Sequence, residues 1–221
     1  MNTRRQRILT WLLAIISLGF LVLTALVIIY PTSLIDLEFS KEIQEHQNKF
    51  LDTSMSIISL PGYMPESPVM IVLTSLVLFI FKYKKAAIYV LLTMLAGLVS
   101  TIVKALINRP RPGDDIVRVV FKTTQQSFPS GHVLFYVVFF GFLTLLMYQL
   151  EGVAKGLRIV IGGLSLFLIF SIPFSRIYLG AHWFTDVLGG FLLGLLCLYL
   201  LSWFYLRKPA VSDEAPKPEV K

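Results

Sequence analysis

The sequence predicts an all-α, polytopic membrane protein with six transmembrane helices and one amphipathic helix at the outer interface. Hydrophobic residues make up 56% of the 221 positions and charged residues only 15%, whereas about a quarter of a typical soluble domain is charged. Six apolar runs follow one another along the chain. Lysine and arginine residues cluster near the ends of these runs, as they do in membrane proteins.

The first apolar run extends from Ile8 to about Tyr30 and follows Arg4, Arg5 and Arg7. With roughly 20 residues it is long enough to cross the hydrocarbon core as a helix. A cleaved signal peptide, the alternative, has an apolar region of about 7–15 residues followed by small residues. This run is longer and ends in Val-Ile-Ile-Tyr-Pro, so we interpret it as a retained helix.

Residues 31–66 alternate between apolar and charged positions at about helical spacing. The apolar positions are Ile43, Phe50, Leu51, Met55 and Ile58. This pattern predicts an amphipathic helix lying at the membrane interface. The prolines and the glycine between Pro61 and Pro68 are expected to end it.

Five more apolar runs predict the remaining transmembrane helices, at about 68–82, 86–107, 133–150, 158–174 and 183–206. Residues 1–206 are therefore expected to form one transmembrane domain. The tail 207–221 is rich in proline, glutamate and lysine and is predicted to be disordered. The single cysteine, Cys197, lies in an apolar run and excludes a disulfide within one chain.

The charge distribution predicts that both termini are cytoplasmic. Basic residues near the expected inner ends are Arg4, Arg5, Arg7, Lys82, Lys84, Lys85, Lys155, Arg158, Arg207 and Lys208. A second basic set falls on the outer side, against this bias: Lys104, Arg109, Arg111, Arg118, Lys122 and Arg176. A bound anion would explain the second set, and solvated charges are the alternative. The net charge of +7 is thus attributed to lipid and phosphate, not to nucleic acid.

The first candidate patch contains Lys104, near the end of the third apolar run, and Arg111, seven residues later. A charge inside the bilayer is costly, so such a lysine has a partner or extends to the interface. A compact ammonium and a planar guanidinium together can hold several phosphate oxygens. A lysine that simply reaches the interface is the structural alternative.

The second patch, Pro129-Ser130-Gly131-His132, directly precedes an apolar run. Ser130 is suited to cap the following helix, and Gly131 allows close approach of a ligand to the backbone. The free N–H groups at the start of a helix favour an anion. His132 would stand beside that anion and could donate a proton, although an ordinary helix cap is the alternative.

The third patch contains Arg176, His182 and Asp186. His182 and Asp186 are four residues apart and would share one face of a helix. The carboxylate would then fix the tautomer of the imidazole and leave its other nitrogen free for nucleophilic attack. Arg176 could join the anion site. A buried structural His–Asp pair is the alternative.

Together the three patches resemble the three-part signature of the type-2 phosphatidic acid phosphatases in residue type, spacing and order. The matching segments are Lys104-x6-Arg111-Pro112, Pro129-Ser130-Gly131-His132 and Ser175-Arg176-x5-His182-x3-Asp186. The resemblance covers residues 104–186, and residues 1–66 carry no matching motif. Arg109 repeats the Arg-Pro pair out of register, and no role is assigned to it.

The resemblance implies a phosphatase that uses no metal and no cofactor. His182 would attack phosphorus and form a phosphohistidine, and Asp186 would orient it. His132 would protonate the leaving oxygen and then activate water. The phosphoryl oxygens would be held by Lys104, Arg111, Ser130, Gly131 and Arg176.

The resemblance also implies a membrane lipid phosphate as substrate. The charge distribution predicts that the active site faces the extracytoplasmic side. Members of the family act on phosphatidic acid, phosphatidylglycerophosphate, diacylglycerol pyrophosphate or undecaprenyl pyrophosphate. The sequence leaves the lipid and the oligomeric state open. A lipid-to-lipid phosphotransferase and a non-enzymatic lipid transporter are the two alternative functions.

Overall fold

The computed structural model describes residues 3–120 and 125–207, and this part of the chain is helical without any β-strand. The predicted all-α class is confirmed for these residues. Lys122 and Lys208, and the predicted disordered tail beyond Arg207, lie outside the described residues. The helices are α1 (Thr3–Ile29), α2 (Leu34–Gln44), α3 (Lys49–Ser59), α4 (Glu66–Ile80), α5 (Lys84–Leu92), α6 (Leu95–Ile107), α7 (Gly131–Gln149), α8 (Lys155–Tyr178) and α9 (Phe184–Leu206).

Within the described residues, five helical segments are long and apolar enough to cross a membrane: Gln6–Ile29, Lys84–Ile107, Gly131–Gln149, Lys155–Tyr178 and Phe184–Leu206. The segment Lys84–Ile107 combines α5 and α6, which are separated by a short break at Thr93 and Met94. Helices α3 and α4 are bent by 58° and add a sixth crossing if they count as one span. Large apolar side chains on these segments are exposed, as a lipid-covered surface requires. The chain is therefore a multi-helix membrane protein.

The segment between α1 and α4 differs from the prediction. Asp36 Oδ2 accepts a hydrogen bond from the Ser33 N–H at 3.3 Å, and Ser33 Oγ accepts one from the Asp36 N–H at 3.2 Å. This reciprocal pair begins α2. Asn48 then starts α3, because its side-chain oxygen accepts from the Leu51 N–H at 2.9 Å. The structure thus has two helices where one amphipathic helix was predicted, because the second cap separates them. Four of the five apolar positions lie on α3.

Helix α7 lies at the centre of the bundle, with most of its side chains buried against α8 and α9. Helix α9 approaches α7 closely through glycines. A Cβ at Gly190 would come within 2.6 Å of the Ser130 carbonyl oxygen, and one at Gly194 within 2.8 Å of Val137. Small residues permit such packing in lipid, where helix association depends on close contact. This approach brings the beginnings of α7 and α9 together, and the Ser130 N–H donates to the Asp186 carbonyl at 2.9 Å.

Four helix ends meet at one end of the bundle. Helix α6 ends at Asn108, whose left-handed backbone (φ 50°) turns the chain out of the helix. Helix α8 ends, and α7 and α9 begin, in the same region. At the other end of the bundle Lys85, at the start of α5, donates to the carbonyl of Arg207 at 3.2 Å. The fold therefore gathers the three sequence patches at one end and the flanking basic residues at the other.

Candidate active site

A cavity of about 820 Å³ opens at the end of the bundle where α6, α7, α8 and α9 meet. Six of the eight residues that the sequence analysis singled out line it: Lys104, Arg111, Gly131, His132, Arg176 and His182. The other two, Ser130 and Asp186, are fully buried next to it. Segments that lie far apart in the sequence thus contribute to one site.

Lys104 and Arg111 reach the cavity from the end of α6 and the loop that follows. The ammonium of Lys104 donates to the Gln126 carbonyl at 2.5 Å and to the Ser127 carbonyl at 3.3 Å. The guanidinium of Arg111 donates to the Gln125 carbonyl at 2.7 Å and to the Ala181 carbonyl at 2.5 Å. Burial, with Arg176 nearby, lowers the pKa of Arg111 to about 10. Both charges are thus held in place by neutral oxygens.

Arg176 reaches the cavity from the last turn of α8. Its Nη1 donates to the Ser59 hydroxyl at 3.0 Å and to the Tyr63 hydroxyl at 2.9 Å. The guanidinium also lies over the Tyr63 ring, 5.4 Å from its centroid. Within the part of the chain that the structure describes, Arg176, Lys104 and Arg111 form no ion pair with a carboxylate. Their charge is therefore available to an anion.

His182 presents its two ring nitrogens to different surroundings. Nε2 lies 3.3 Å from Arg111 Nη1 at the cavity. Nδ1 lies 3.4 Å from Ser127 Oγ and 3.4 Å from Asp186 Oδ2. Because Nδ1 faces oxygen acceptors, we infer that it carries the proton and that the lone pair is on Nε2. Burial, together with Arg111 and Lys104, holds the pKa of His182 well below its usual value, so the ring is neutral at neutral pH.

The pairing of His182 with Asp186 does not arise as predicted. His182 precedes α9, which begins at Phe184, so the two residues do not share a helical face. Asp186 is in the first turn of α9 and folds back, where its Oδ2 accepts from the Trp183 N–H at 2.9 Å. The same oxygen accepts a hydrogen bond from Ser127 Oγ. Ser127, which the sequence analysis did not assign a role, thus connects the carboxylate to the imidazole.

Helix α7 begins at the cavity. Ser130 occupies the N-cap position, but the predicted cap is wrong because its side chain makes no capping hydrogen bond. His132 packs against Tyr63 with ring centroids 4.6 Å apart, and a Cβ at Gly62 would collide with the His132 ring. Glycine at position 62 therefore allows the imidazole to lie where it does. The N-terminal end of α7 presents helix N–H groups and an imidazole to the cavity.

Several polar atoms around the cavity have no partner. Among the described residues five buried side-chain atoms make no hydrogen bond, and buried polar groups are nearly always paired. Four of the five belong to residues that line or adjoin the cavity: Ser100 Oγ, Ser130 Oγ, His132 Nε2 and Arg176 Nε. These groups could bind the oxygens of a ligand. No three described His, Cys, Asp or Glu side chains are grouped as a metal site.

Two of the basic residues assigned to the outer side are not part of the cavity. Arg109 forms ion pairs with Asp186 at 2.5 Å and with Asp36 at 2.7 Å. Arg118 pairs with Asp52 at 2.5 Å, a bond that raises the pKa of Arg118. The explanation by a bound anion is therefore wrong for these two, since each has a carboxylate of this chain as its partner.

The fold and the site define a helical membrane protein with a cavity lined by cationic side chains and two histidines. The family model of the PAP2 superfamily matches residues 85–210 of this chain. The chain belongs to the PAP2 superfamily, and the resemblance found in the sequence is confirmed.

Named relatives and a solved structure agree with this assignment. Phosphatidylglycerophosphatase B of Bacillus subtilis is 35% identical over 131 residues, which cover 56% of this chain but only 61% of that protein. Undecaprenyl-diphosphatase of Sulfolobus acidocaldarius is 27% identical over 190 residues, 84% of this chain and 82% of that protein. The crystal structure of a transmembrane PAP2 type phosphatidylglycerolphosphate phosphatase from Bacillus subtilis matches with a TM-score of 0.75 and 26% identity, covering 87% of this chain and 94% of that chain.

Proposed function

We propose that this protein is an integral membrane phosphatase that hydrolyses a phosphomonoester or pyrophosphate of a membrane lipid through a phosphohistidine, without a metal or another cofactor. One observation carries the proposal most strongly. A single cavity combines two imidazoles, the N-terminal end of α7 and, among the described residues, three cations that have no carboxylate partner. An oxyanion with a large negative charge is the ligand that such a site suits.

The phosphoryl group would be bound at the N-terminus of α7. Lys104, Arg111 and Arg176 would contact its oxygens with charge-assisted hydrogen bonds. The backbone at Gly131 and the unpaired hydroxyl of Ser130 would add neutral donors. Fixed donors of this kind stabilise the charge that spreads over the oxygens in the transition state.

In the first step His182 Nε2 would attack phosphorus. A nitrogen–phosphorus bond forms while the bond between phosphorus and the lipid oxygen breaks, and His132 gives its proton to that oxygen. Asp186 and Ser127 keep the proton of His182 on Nδ1 and stabilise the positive charge that the ring gains. In the second step His132 takes a proton from water, the water oxygen attacks phosphorus, and inorganic phosphate leaves as the nitrogen–phosphorus bond breaks.

The shape of the cavity supports a lipid as substrate. From the charged end it continues past Pro68 and Ile71 of α4, Leu98 of α6 and Phe135 of α7. Gly97 lies on the same lining, and a Cβ there would meet no atom within 4 Å. An apolar chain could occupy this part while the headgroup lies among the cations.

We propose six membrane crossings, with α3 and α4 together as one of them, in one domain of residues 1–206. Helix α2 would lie at the outer interface. The carbonyl of Pro31, which follows α1, accepts from Arg109 near the site, so α1 begins at the opposite end of the bundle. Lys84, Lys85, Lys155 and Arg207 flank that opposite end, and their charge favours the cytoplasm. The active site would then face the extracytoplasmic side, and both termini would be cytoplasmic.

Phosphate release by the purified protein tests the proposal. The panel contains phosphatidic acid, phosphatidylglycerophosphate, diacylglycerol pyrophosphate and undecaprenyl pyrophosphate, each assayed with EDTA present. We expect turnover of at least one lipid and a loss of about 10⁴-fold or more for His182→Ala, because it removes the nucleophile. His46→Ala is the matched control, since the His46 side chain is 84% exposed.

Other outcomes would contradict parts of the proposal. Activity that EDTA abolishes and magnesium restores would contradict the metal-free mechanism. Full activity in His182→Ala would contradict the phosphohistidine. Labelled phosphate that appears in an acceptor lipid and not in solution would identify a phosphotransferase.

A further inference from the structure

The chain contains two consecutive Arg-Pro pairs, and their arginines lie in opposite surroundings. Arg111 lines the cavity and has no carboxylate partner among the described residues. Arg109, two residues earlier, is only 2% exposed and is not among the residues that line the cavity. The family signature gives Arg109 no role, yet its burial and its contacts connect it directly to the predicted nucleophile.

The guanidinium of Arg109 joins three separate parts of the chain. Nη1 donates to Asp186 Oδ1 at 2.5 Å and to Thr185 Oγ1 at 2.7 Å, both in the first turn of α9. Nη2 donates to Asp36 Oδ2 of α2 at 2.7 Å. Nε donates to the carbonyl of Pro31 at 2.8 Å. A planar guanidinium with donors bound in three directions is fixed in orientation.

This fixed guanidinium determines which oxygen of Asp186 faces His182. Oδ1 of Asp186 is bound to Arg109. Oδ2 is therefore the oxygen that accepts from Ser127 and from the Trp183 N–H, and it lies 3.4 Å from His182 Nδ1. Without Arg109 the carboxylate would lose its only charged partner among the described residues on that side, and the carboxyl group could rotate.

Asp36 completes the arrangement from the other side. Its Oδ1 accepts from the Thr185 N–H at 2.9 Å and from the Thr185 hydroxyl at 2.8 Å, and its side chain is fully buried. It also compensates the charge of Arg109. A single guanidinium next to Asp186 would cancel the negative charge that acts on His182. Two carboxylates and one guanidinium keep a net charge of −1 in this cluster, which opposes the three cations of the cavity.

We propose that Arg109 and Asp36 are positioning residues that orient Asp186 and preserve its negative charge, so that His182 keeps its proton on Nδ1. This inference rests on the proposed function of His182 as the nucleophile. It assigns a role in the active site to Asp36, from an N-terminal segment that carries no family motif. Neither residue is among those that line the cavity.

The experiment compares Arg109→Met, Arg109→Lys and Asp36→Asn with a matched control pair, Arg118→Met and Asp52→Asn. The control arginine also pairs with a carboxylate, but this pair lies outside the cavity lining. We expect Arg109→Met to lower kcat about 100-fold and Asp36→Asn about tenfold, each with KM within about threefold, because the substrate contacts stay intact. Arg109→Lys should recover part of the loss. Both control variants should keep kcat within about threefold.

A second measurement determines the tautomer of His182 by NMR and does not depend on catalytic activity. The chain has three histidines, so ¹⁵N-histidine labelling and a His182→Ala reference identify its ring nitrogens by NMR. We expect Nδ1–H in the wild type and a mixture of tautomers in Arg109→Met, or in Asp36→Asn if Arg109→Met does not fold. An unchanged tautomer and an unchanged kcat in the folded variants would overturn the inference. If the wild type and the controls release no phosphate, the proposed function has failed. The NMR comparison of the His182 tautomer in the wild type and in Arg109→Met then still tests whether Arg109 positions Asp186.

Discussion

Cations at the end of the bundle that holds the cavity fall into two regions that differ in their partners. In the paired region each guanidinium binds a carboxylate, and the pairs are Arg109 with Asp36 and Asp186, and Arg118 with Asp52. In the cavity region Lys104, Arg111 and Arg176 donate to carbonyl and hydroxyl oxygens, and no described carboxylate pairs with them.

The difference separates charges that are compensated inside the protein from charges that are left available to a ligand. A buried charge without an opposite charge is costly, and removing one member of a buried pair leaves the other uncompensated. In the paired region carboxylates of the chain itself compensate the positive charges. In the cavity region no described carboxylate compensates the charges. Burial lowers the pKa of Arg111 to about 10, because the charged form is disfavoured there. We therefore expect a substitution in the cavity region to weaken ligand binding directly, whereas a substitution in the paired region acts only through the carboxylate that the cation holds.

The largest effect is expected for Lys104→Met in the cavity region. The methionine keeps much of the volume but removes a cation from the proposed phosphate site, so kcat/KM should fall about 100- to 1,000-fold. The melting temperature should stay close to that of the wild type, because no ion pair with a described carboxylate is broken. Phosphate release and thermal unfolding in the same detergent provide the two measurements.

Arg118→Met is the reference for this comparison, since it removes a cation of the paired region. Its pair with Asp52 lies outside the cavity lining, so kcat/KM should stay within about threefold. The pair also lies near the surface, where such pairs contribute little to stability. A large loss of stability in Lys104→Met with normal kcat/KM in the folded fraction would contradict the division into two regions.

A smaller effect concerns pH and His182, whose surroundings include two cations of the cavity region. Its pKa is held well below the usual value by burial and by Arg111 and Lys104. In the unfolded chain this histidine takes up a proton near pH 6.5. In the folded protein it takes up that proton only at a lower pH. Unfolding is therefore favoured as the pH falls below about 6.5, by up to about 1.4 kcal/mol per pH unit, and the contribution vanishes above that pH.

Thermal unfolding between pH 7.5 and 5 checks this expectation. The melting temperature should fall less steeply with decreasing pH in His182→Asn than in the wild type. His46→Asn, which replaces an exposed histidine, should leave the slope unchanged. Equal slopes in wild type and His182→Asn would show that the folded protein protonates His182 as readily as the unfolded chain does.

Local sequence patterns were sufficient to predict most of the helices and the signature residues that line the cavity. The apolar run at 133–150 corresponds to α7 at Gly131–Gln149, because a membrane helix must be apolar along its whole length. The signature residues meet because they lie at helix ends that the bundle brings together. The break at Thr93 and Met94 within the third run escaped prediction, since those residues are compatible with a continuous helix.

Partners that are distant in sequence could not be predicted. Arg109 was left without a role, and Arg118 was assigned to an anion, because Asp36 and Asp52 lie in the N-terminal segment that carries no motif and Asp186 had been paired with His182 alone. The bridging role of Ser127 has the same explanation: its hydroxyl meets Asp186 only after α7 and α9 pack together. Charge patterns predict that a cation needs a partner, but three-dimensional packing decides whether that partner is the protein or a ligand.

The smallest effect is expected for a substitution at Ser100. This prediction applies the comparison of paired and unpaired groups to hydroxyls. Ser100 lines the cavity one helical turn before Lys104, and its buried hydroxyl has no hydrogen-bond partner among the described residues. The next residue, Thr101, donates to the Gly97 carbonyl at 3.0 Å, as helical Ser and Thr side chains often do. Ser100 Oγ lies beside Gly131, where a Cβ would come within 3.2 Å of it. The hydroxyl thus lies beside the start of α7, where we propose that the phosphoryl group binds.

We expect Ser100→Ala to leave the melting temperature unchanged or higher, because it removes an unpaired buried hydroxyl. The affinity for inorganic phosphate, measured by calorimetry on the purified protein, should fall about three- to tenfold, the value of one neutral hydrogen bond. Thr101→Ala, the matched control, should keep this affinity. A lower melting temperature with unchanged phosphate affinity would assign the Ser100 hydroxyl to the fold, and the contrast between paired and unpaired groups would then hold for the cations alone.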